Sequence, residues 1–284
     1  MTEQLSYKQL NLFTWQSERI EKGWKTLASF QFIDSIQIFN EVIKQDCFDL
    51  EAKHGIEAAE YFSQTFIYCE TIEKDKAIKY LYSAIYSFCF KKSWGPQFLL
   101  EKLLAKVISE AELIKLFYIE EITIADIYIK IKQLEKAKVA LINQLKTNST
   151  NTILLIKLAN TQWELSELKE ANYYYLKALL LEPNKVIAEI IKNKKIVTLI
   201  NKYGTEMAPA WGWIYGVFPL IDIESYTEII SKNKGCHAYN LLFLSENTDR
   251  KSNLTLIVNL RKQIKLEFPE LYEAYFDLLK NRKI

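Results

Sequence analysis

Glycine and proline are scarce in this chain, at 7 and 5 of 284 residues. An all-β fold needs many tight turns, and a collagen-like or disordered chain needs far more of both residues, so these classes are excluded. Two histidines and four cysteines leave little for a multi-ligand metal site. Cys47, Cys69, Cys89 and Cys236 are widely spaced and form no C-x-x-C, so they read as reduced or buried thiols rather than a disulfide framework. Charge of one sign is also missing. Thirty-seven basic and 35 acidic side chains give a net +2, which supplies no global field for nucleic acid. There is no long hydrophobic run. The longest uncharged stretch, Met207 to Ile221, is too short to span a bilayer and carries Pro209, Gly212, Gly216 and Pro219. Met1 to Gln16 shows no basic stretch followed by an apolar one, so no secretory signal is expected and the expected location is cytoplasmic. The sequons at Asn148 and Asn253 then read as chance.

What the chain does have is apolar residues at helical spacing. Ile153, Ile156, Ala159 and Trp163 recur every three or four residues, and Leu168, Ala171, Tyr175, Ala178 and Leu179 repeat the pattern. Similar periods run through Ile33–Ile43, Leu50–Phe66, Lys74–Phe88, Phe98–Ile108, Ile122–Ile131, Val186–Ile200, Leu254–Phe268 and Leu271–Leu279. This predicts an all-α chain of roughly a dozen helices of ordinary length. The breaks are short: Lys92 to Pro96, Thr147 to Asn151, Glu182 to Asn184 and Glu246 to Asp249. Short links favour antiparallel neighbours, as in helical hairpins or a bundle.

Self-similarity is clearest in Asn151 to Asn184. Leu158-Ala159 lie in its first helix, Leu168, Ala171, Tyr175 and Ala178 in its second, and Pro183 at its end. The small alanines suit close helix contact and the proline ends the second helix. Thirty-four residues earlier, Ala125, Tyr128, Leu134, Ala137 and Leu141 take corresponding places, with Gln144 and Ser149 departing from the pattern. Gly23, Phe32, Ser35 and Phe39 form a looser match, and Ala77, Leu81 and Ala84 a fragment of another. The chain thus resembles the tetratricopeptide (TPR) repeat family, most clearly over residues 117–184.

The resemblance implies TPR-like hairpins stacked as an α-solenoid over residues 1–203, followed by a less regular helical part over 204–284. It also implies a groove lined by the first helix of each pair. That brings Ile122, Asp126, Ile129 and Lys130 beside Ile156, Asn160, Trp163 and Glu164, with Ile20, Trp24 and Leu27 from the looser unit. A clamp for a peptide carboxylate is not expected, because only Asn160 and Lys130 offer suitable chemistry. Trp24 and Trp163 serve either as inter-helix core or as aromatic anchors for a partner.

Met207 to Pro219 is the oddest segment, holding Trp211, Trp213, Tyr215, two glycines and two prolines. It reads as an irregular buried link, as a partner-binding or ligand-lining loop, or as a membrane-interface anchor. Lys185, Lys192, Lys194, Lys195 and Lys202, with Arg250, Lys251, Arg261, Lys262 and Lys265, read as solvated helix faces or a basic patch. No catalytic motif is present, and Cys236-His237 alone does not make a nucleophile pair. The leading functional reading is a non-catalytic protein- or peptide-binding scaffold with no cofactor. A helical-array regulator that binds a small molecule or signalling peptide is the second reading, and an enzyme without a recognisable motif the third.

Overall fold

The computed structural model describes residues 2–88, 95–119, 122–222, 233–249 and 253–281, with side chains from Thr14 onward. Cys89, most of the expected Lys92–Pro96 break, Arg250 and Lys251 lie outside the described residues. The described chain is all-α apart from one small hairpin. It divides into two compact units, residues 1–133 and 134–284.

The first unit holds α1 (Thr2–Ala28), α2 (Phe32–Gln45), α3 (Leu50–Glu70), α4 (Lys74–Ser87), α5 (Pro96–Leu113) and α6 (Ile124–Lys130). Helices α1 to α5 each pack on their neighbours in sequence, and α5 also returns to α1. Asp49 caps α3 by accepting from Ala52 N at 2.8 Å, and Pro96 opens α5 at its first turn. The core is aromatic. Trp24 and Phe39 are fully buried and meet edge to face at 5.3 Å, and the Trp24 indole N–H donates to Glu51 at 3.0 Å. The predicted helix over Ile122–Ile131 starts later than expected. Ile122–Thr123 is strand β2, paired antiparallel with β1 (Tyr118–Ile119). Thr123 then caps α6, so the β-branched pair sits before the helix rather than in it.

The second unit holds α7 (Leu134–Thr147), α8 (Thr152–Glu164), α9 (Leu168–Leu181), α10 (Lys194–Ile214), α11 (Lys234–Asn247), α12 (Leu254–Glu267) and α13 (Pro269–Asn281). Again each helix packs on the next. A boundary at 203/204 would fall inside α10, where Gly204 takes φ 77° and breaks the helix in two.

Helices α7 and α9 have 14 residues each and start 34 residues apart. The turns that lead into them match at the same offset. Lys132 and Ser166 have positive φ, and the next N–H reaches back to Tyr128 O and Gln162 O, each at 2.9 Å. Phe30, two residues before α2, has the same conformation and Gln31 N reaches Thr26 O at 3.2 Å. Ala159, Ala171 and Ala178 are fully buried where α8 meets α9. Leu168, the first matched position of the second helix, is instead 47% exposed at the start of α9.

Two further expected elements differ. Val186–Ile200 is not one helix: two short 3-10 turns, Pro183–Lys185 and Ala188–Ile190, precede α10. The reason is tertiary. Asn160 donates to Ile190 O at 2.8 Å and accepts from Lys192 N at 3.1 Å, which takes these backbone groups away from a helix. Conversely, most of Met207–Pro219 is not irregular, because α10 continues to Ile214 before turning at Tyr215–Gly216.

Candidate functional site

The site grows from the break in α10. Tyr203 precedes Gly204, while Trp211 and Tyr215 lie one turn apart beyond it. The positive φ of Gly204 turns the chain so that Tyr203 stacks on Trp211, with centroids 4.1 Å apart and planes 8° from parallel. Tyr215 joins the stack at 6.0 Å from Trp211, and the Tyr203 and Tyr215 hydroxyls meet at 2.9 Å. That hydroxyl contact, followed by burial, raises the Tyr215 phenol above its ordinary range. Tyr215 remains 54% exposed and Trp211 only 7%. Trp213 faces the other way, into the core, 5.8 Å from Tyr275.

Two other junctions close around this stack. The start of α11 is pressed onto α10 at Gly235, and Asn233 caps it by accepting from Cys236 N at 2.8 Å. The α12–α13 turn contributes Phe268 and Leu271, both buried, with Pro269 opening α13. Between them lies a cavity of about 430 Å³. Its apolar lining is Tyr203, Met207, Trp211, Phe268, Pro269 and Leu271, and its charged groups are Lys202, Lys234, Glu267 and Glu270. The lining is therefore mixed, with aromatic and aliphatic walls and charged groups of both signs.

The charges are not equally engaged. Glu267 accepts from Gln263 at 2.8 Å and faces His237 Nε2 at 2.9 Å, and these contacts, Gln263 first, hold its carboxyl below the ordinary range. Lys202 Nζ lies 4.9 Å from the Tyr203 ring centre, and Lys234 Nζ 5.6 Å from that of Phe268. The Tyr203 hydroxyl raises the Lys202 ammonium above its ordinary value.

The other expected site residues have local partners. Asp126 completes a capping box, accepting from Thr123 N at 3.0 Å while Thr123 Oγ1 accepts from Asp126 N at 3.2 Å. Ile129 is half-buried, and Lys130 lies over Tyr86 with its Nζ 4.1 Å from the ring centre. In the second unit, Asn160 ties down residues 190–192 and also accepts from the Tyr175 hydroxyl, while Glu164 pairs with Lys192. Trp163 is half-buried. The face of α8 expected to line a groove is therefore engaged in part by the chain's own 190–192 segment.

Part of the expected basic face is engaged with carboxylates. Lys185 pairs with Glu182 at 2.6 Å, and Arg261 with Glu246 at 3.4 Å. Cys236 and His237 point to different partners. The Cys236 thiol donates to Leu180 O at 3.3 Å and is pushed by burial up to about 12, whereas His237 faces Glu267. A second cavity, of about 380 Å³, lies within the first unit. It is walled by Phe66, Cys69, Ile78 and Leu81, and its Lys106 is already paired with Glu110 at 2.6 Å.

The sequence pattern points to Trp211 and Tyr215, in a segment that opens at Met207, but not to Tyr203, Lys234 or Phe268 as their companions. The one signal for Tyr203 was the glycine beside it, since a helical period cannot be followed through the break at Gly204. No protein-family model, curated protein or solved structure gives a significant match to the chain.

Proposed function

We propose that the chain is a TPR-like helical-repeat scaffold that works by holding a protein or peptide partner rather than by catalysis. Its hairpins would form an α-solenoid, and the chain would work in the cytoplasm. The 34-residue recurrence of α7 and α9, and of the turns that precede them, supports the repeat. The observation that carries the binding reading is the cavity between α10, α11 and the α12–α13 turn. Its walls are aromatic and preformed by stacking, and its rim is charged, which is the construction of a protein-recognition hot spot. Aromatic rings supply contact area at little entropic cost because they have few rotatable bonds.

The test is affinity capture from the native cell with the intact chain and with a Tyr203→Ala/Tyr215→Ala variant. The variant uncovers Trp211, so its fold is first checked by circular dichroism and melting against the parent. The expected result is one reproducible partner, retained by the parent and lost by the variant. Equal capture by both would place binding elsewhere on the chain.

A further inference from the structure

We infer that residues 186–193 are a built-in ligand: they occupy a peptide-binding face of α8, and a partner segment with an apolar residue followed by lysine displaces them. The inference starts from how the contact is made. Asn160 and Glu164 lie one turn apart on α8 and so share a face. The Asn160 amide donates to Ile190 O at 2.8 Å and accepts from Lys192 N at 3.1 Å. Both bonds go to backbone. An amide that satisfies a C=O and an N–H two residues apart recognises a passing chain rather than a particular side chain. The Tyr175 hydroxyl donates to the same Asn160 oxygen and accepts from Lys192 N at 3.3 Å. Side-chain choice falls to Glu164, which pairs with the Lys192 ammonium, and to the buried place of Ile191 beside it. The bound segment therefore displays the chemistry that this face accepts.

Two observations make the segment displaceable. Val186, Ile187, Ile190 and Ile191 have helical spacing that their backbone does not adopt: Ile187 has φ −101° and ψ 114°, and Ile191 φ −78° and ψ 125°. A second arrangement, in which the segment continues α10 toward its N-terminus, thus competes with the one observed. The polar hold on α8 is also slight. It consists of two amide bonds and one ion pair between exposed side chains, each of modest net worth. Ile187 and Ile190 stay 55% and 46% exposed, so they add little packing. An incoming apolar residue would fill the place that Ile191 leaves.

The experiment titrates the full-length chain into two labelled, end-blocked hexapeptides and follows fluorescence anisotropy. One copies residues 188–193, Ala-Glu-Ile-Ile-Lys-Asn, and the other has glutamate in place of its lysine. The parent should bind both weakly, because its own segment competes at an effective concentration of about millimolar. K192E sets a second carboxylate against Glu164 and loosens the segment, so it should bind the lysine peptide at least about tenfold more tightly than the parent does. E164K opposes two ammonium groups instead and should gain affinity for the glutamate peptide. Both positions are exposed, so both variants should melt close to the parent. Adding Asn160→Ala to K192E should remove the gain. Absence of a gain in both variants overturns the inference, as does a gain that ignores the charge of the peptide or survives Asn160→Ala. If the Asn160→Ala chain does not fold, the two charge-matched gains decide. These variants leave the α10–α11–α13 cavity residues in place, so failure here leaves the proposed function standing. Loss of that function's Tyr203 and Tyr215 test likewise leaves this inference standing.

Discussion

Gly235 sits against the backbone of Glu206: a Cβ built on it would lie 1.7 Å from the Glu206 carbonyl oxygen and 2.3 Å from its carbon. No rotamer change relieves a clash with backbone, so only glycine lets α11 approach α10 this closely. Gly235→Ala is expected to cost about 3 kcal/mol or more, read as a lowered denaturation midpoint. Gly216→Ala is the control. Gly216 has φ 68° but open space around it, so that variant should lose only about 1–2 kcal/mol from backbone strain. If Gly235→Ala melts with the parent, the helix crossing is looser than described.

A comparable close approach organises the first unit. The Phe39 ring lies over two glycines at once, 2.6 Å from a Cβ built on Gly23 and 2.4 Å from one built on Gly55. Phe39 is fully buried, so Phe39→Ala should cost about 3–5 kcal/mol. Gly55→Ala should be destabilising alone and partly rescued by Phe39→Leu, whose smaller side chain leaves room. A double-mutant cycle should give a coupling of about 0.5–3 kcal/mol, and strict additivity would contradict the contact.

Helices α7, α8 and α9 were legible in the sequence because their buried positions keep one period from cap to cap. Asn151 and the turn at Ser166 mark where α8 begins and ends. Residues 186–193 have helical apolar spacing and yet are not helix, because the Ile190 carbonyl and the Lys192 N–H bond to Asn160, far away in sequence. A local pattern carries no record of such a competitor. The cavity was half legible. Trp211 and Tyr215 stand out in composition, but Tyr203 reaches them only through the break at Gly204, and Phe268 only through packing of the α12–α13 turn.

The departure of Gln144 from the repeat pattern has an energetic consequence. It stands 34 residues before the fully buried Ala178, is itself 6% exposed, and both polar atoms of its amide lack a partner among the described residues. A buried amide with no partner costs roughly 1–3 kcal/mol of desolvation. Gln144→Met keeps similar bulk and removes both polar atoms, so it should raise stability by about 1 kcal/mol, seen as a higher melting temperature. Unchanged or lower stability would mean that the amide is hydrogen-bonded in solution.

Buried hydroxyls and thiols set how the chain responds to alkali. Burial pushes the Tyr175 and Tyr275 phenols up to about 12, from an ordinary 10.0, and the Cys236 thiol up to about 12, from 9.0. Tyr239, fully buried, is raised by the same cause. The folded chain therefore holds these protons at pH values where the unfolded chain has released them. Folded protein binds more protons than unfolded protein over this window, so stability falls as pH rises. The stabilising contribution is whole below the unfolded values and is lost progressively between about pH 9 and 12. Melting followed by circular dichroism should be nearly constant from these groups at neutral pH and should drop steeply above about pH 10. Tyr239→Phe isolates one contributor. It loses the bonds that the hydroxyl makes to Pro219 O and Ile221 N, each at 2.9 Å, so it should be less stable than the parent at pH 7. It also removes one ionisable group, so its curve should fall less steeply and draw closer to the parent's as pH rises. Parallel curves for the two proteins would show that the Tyr239 phenol is not held protonated by burial.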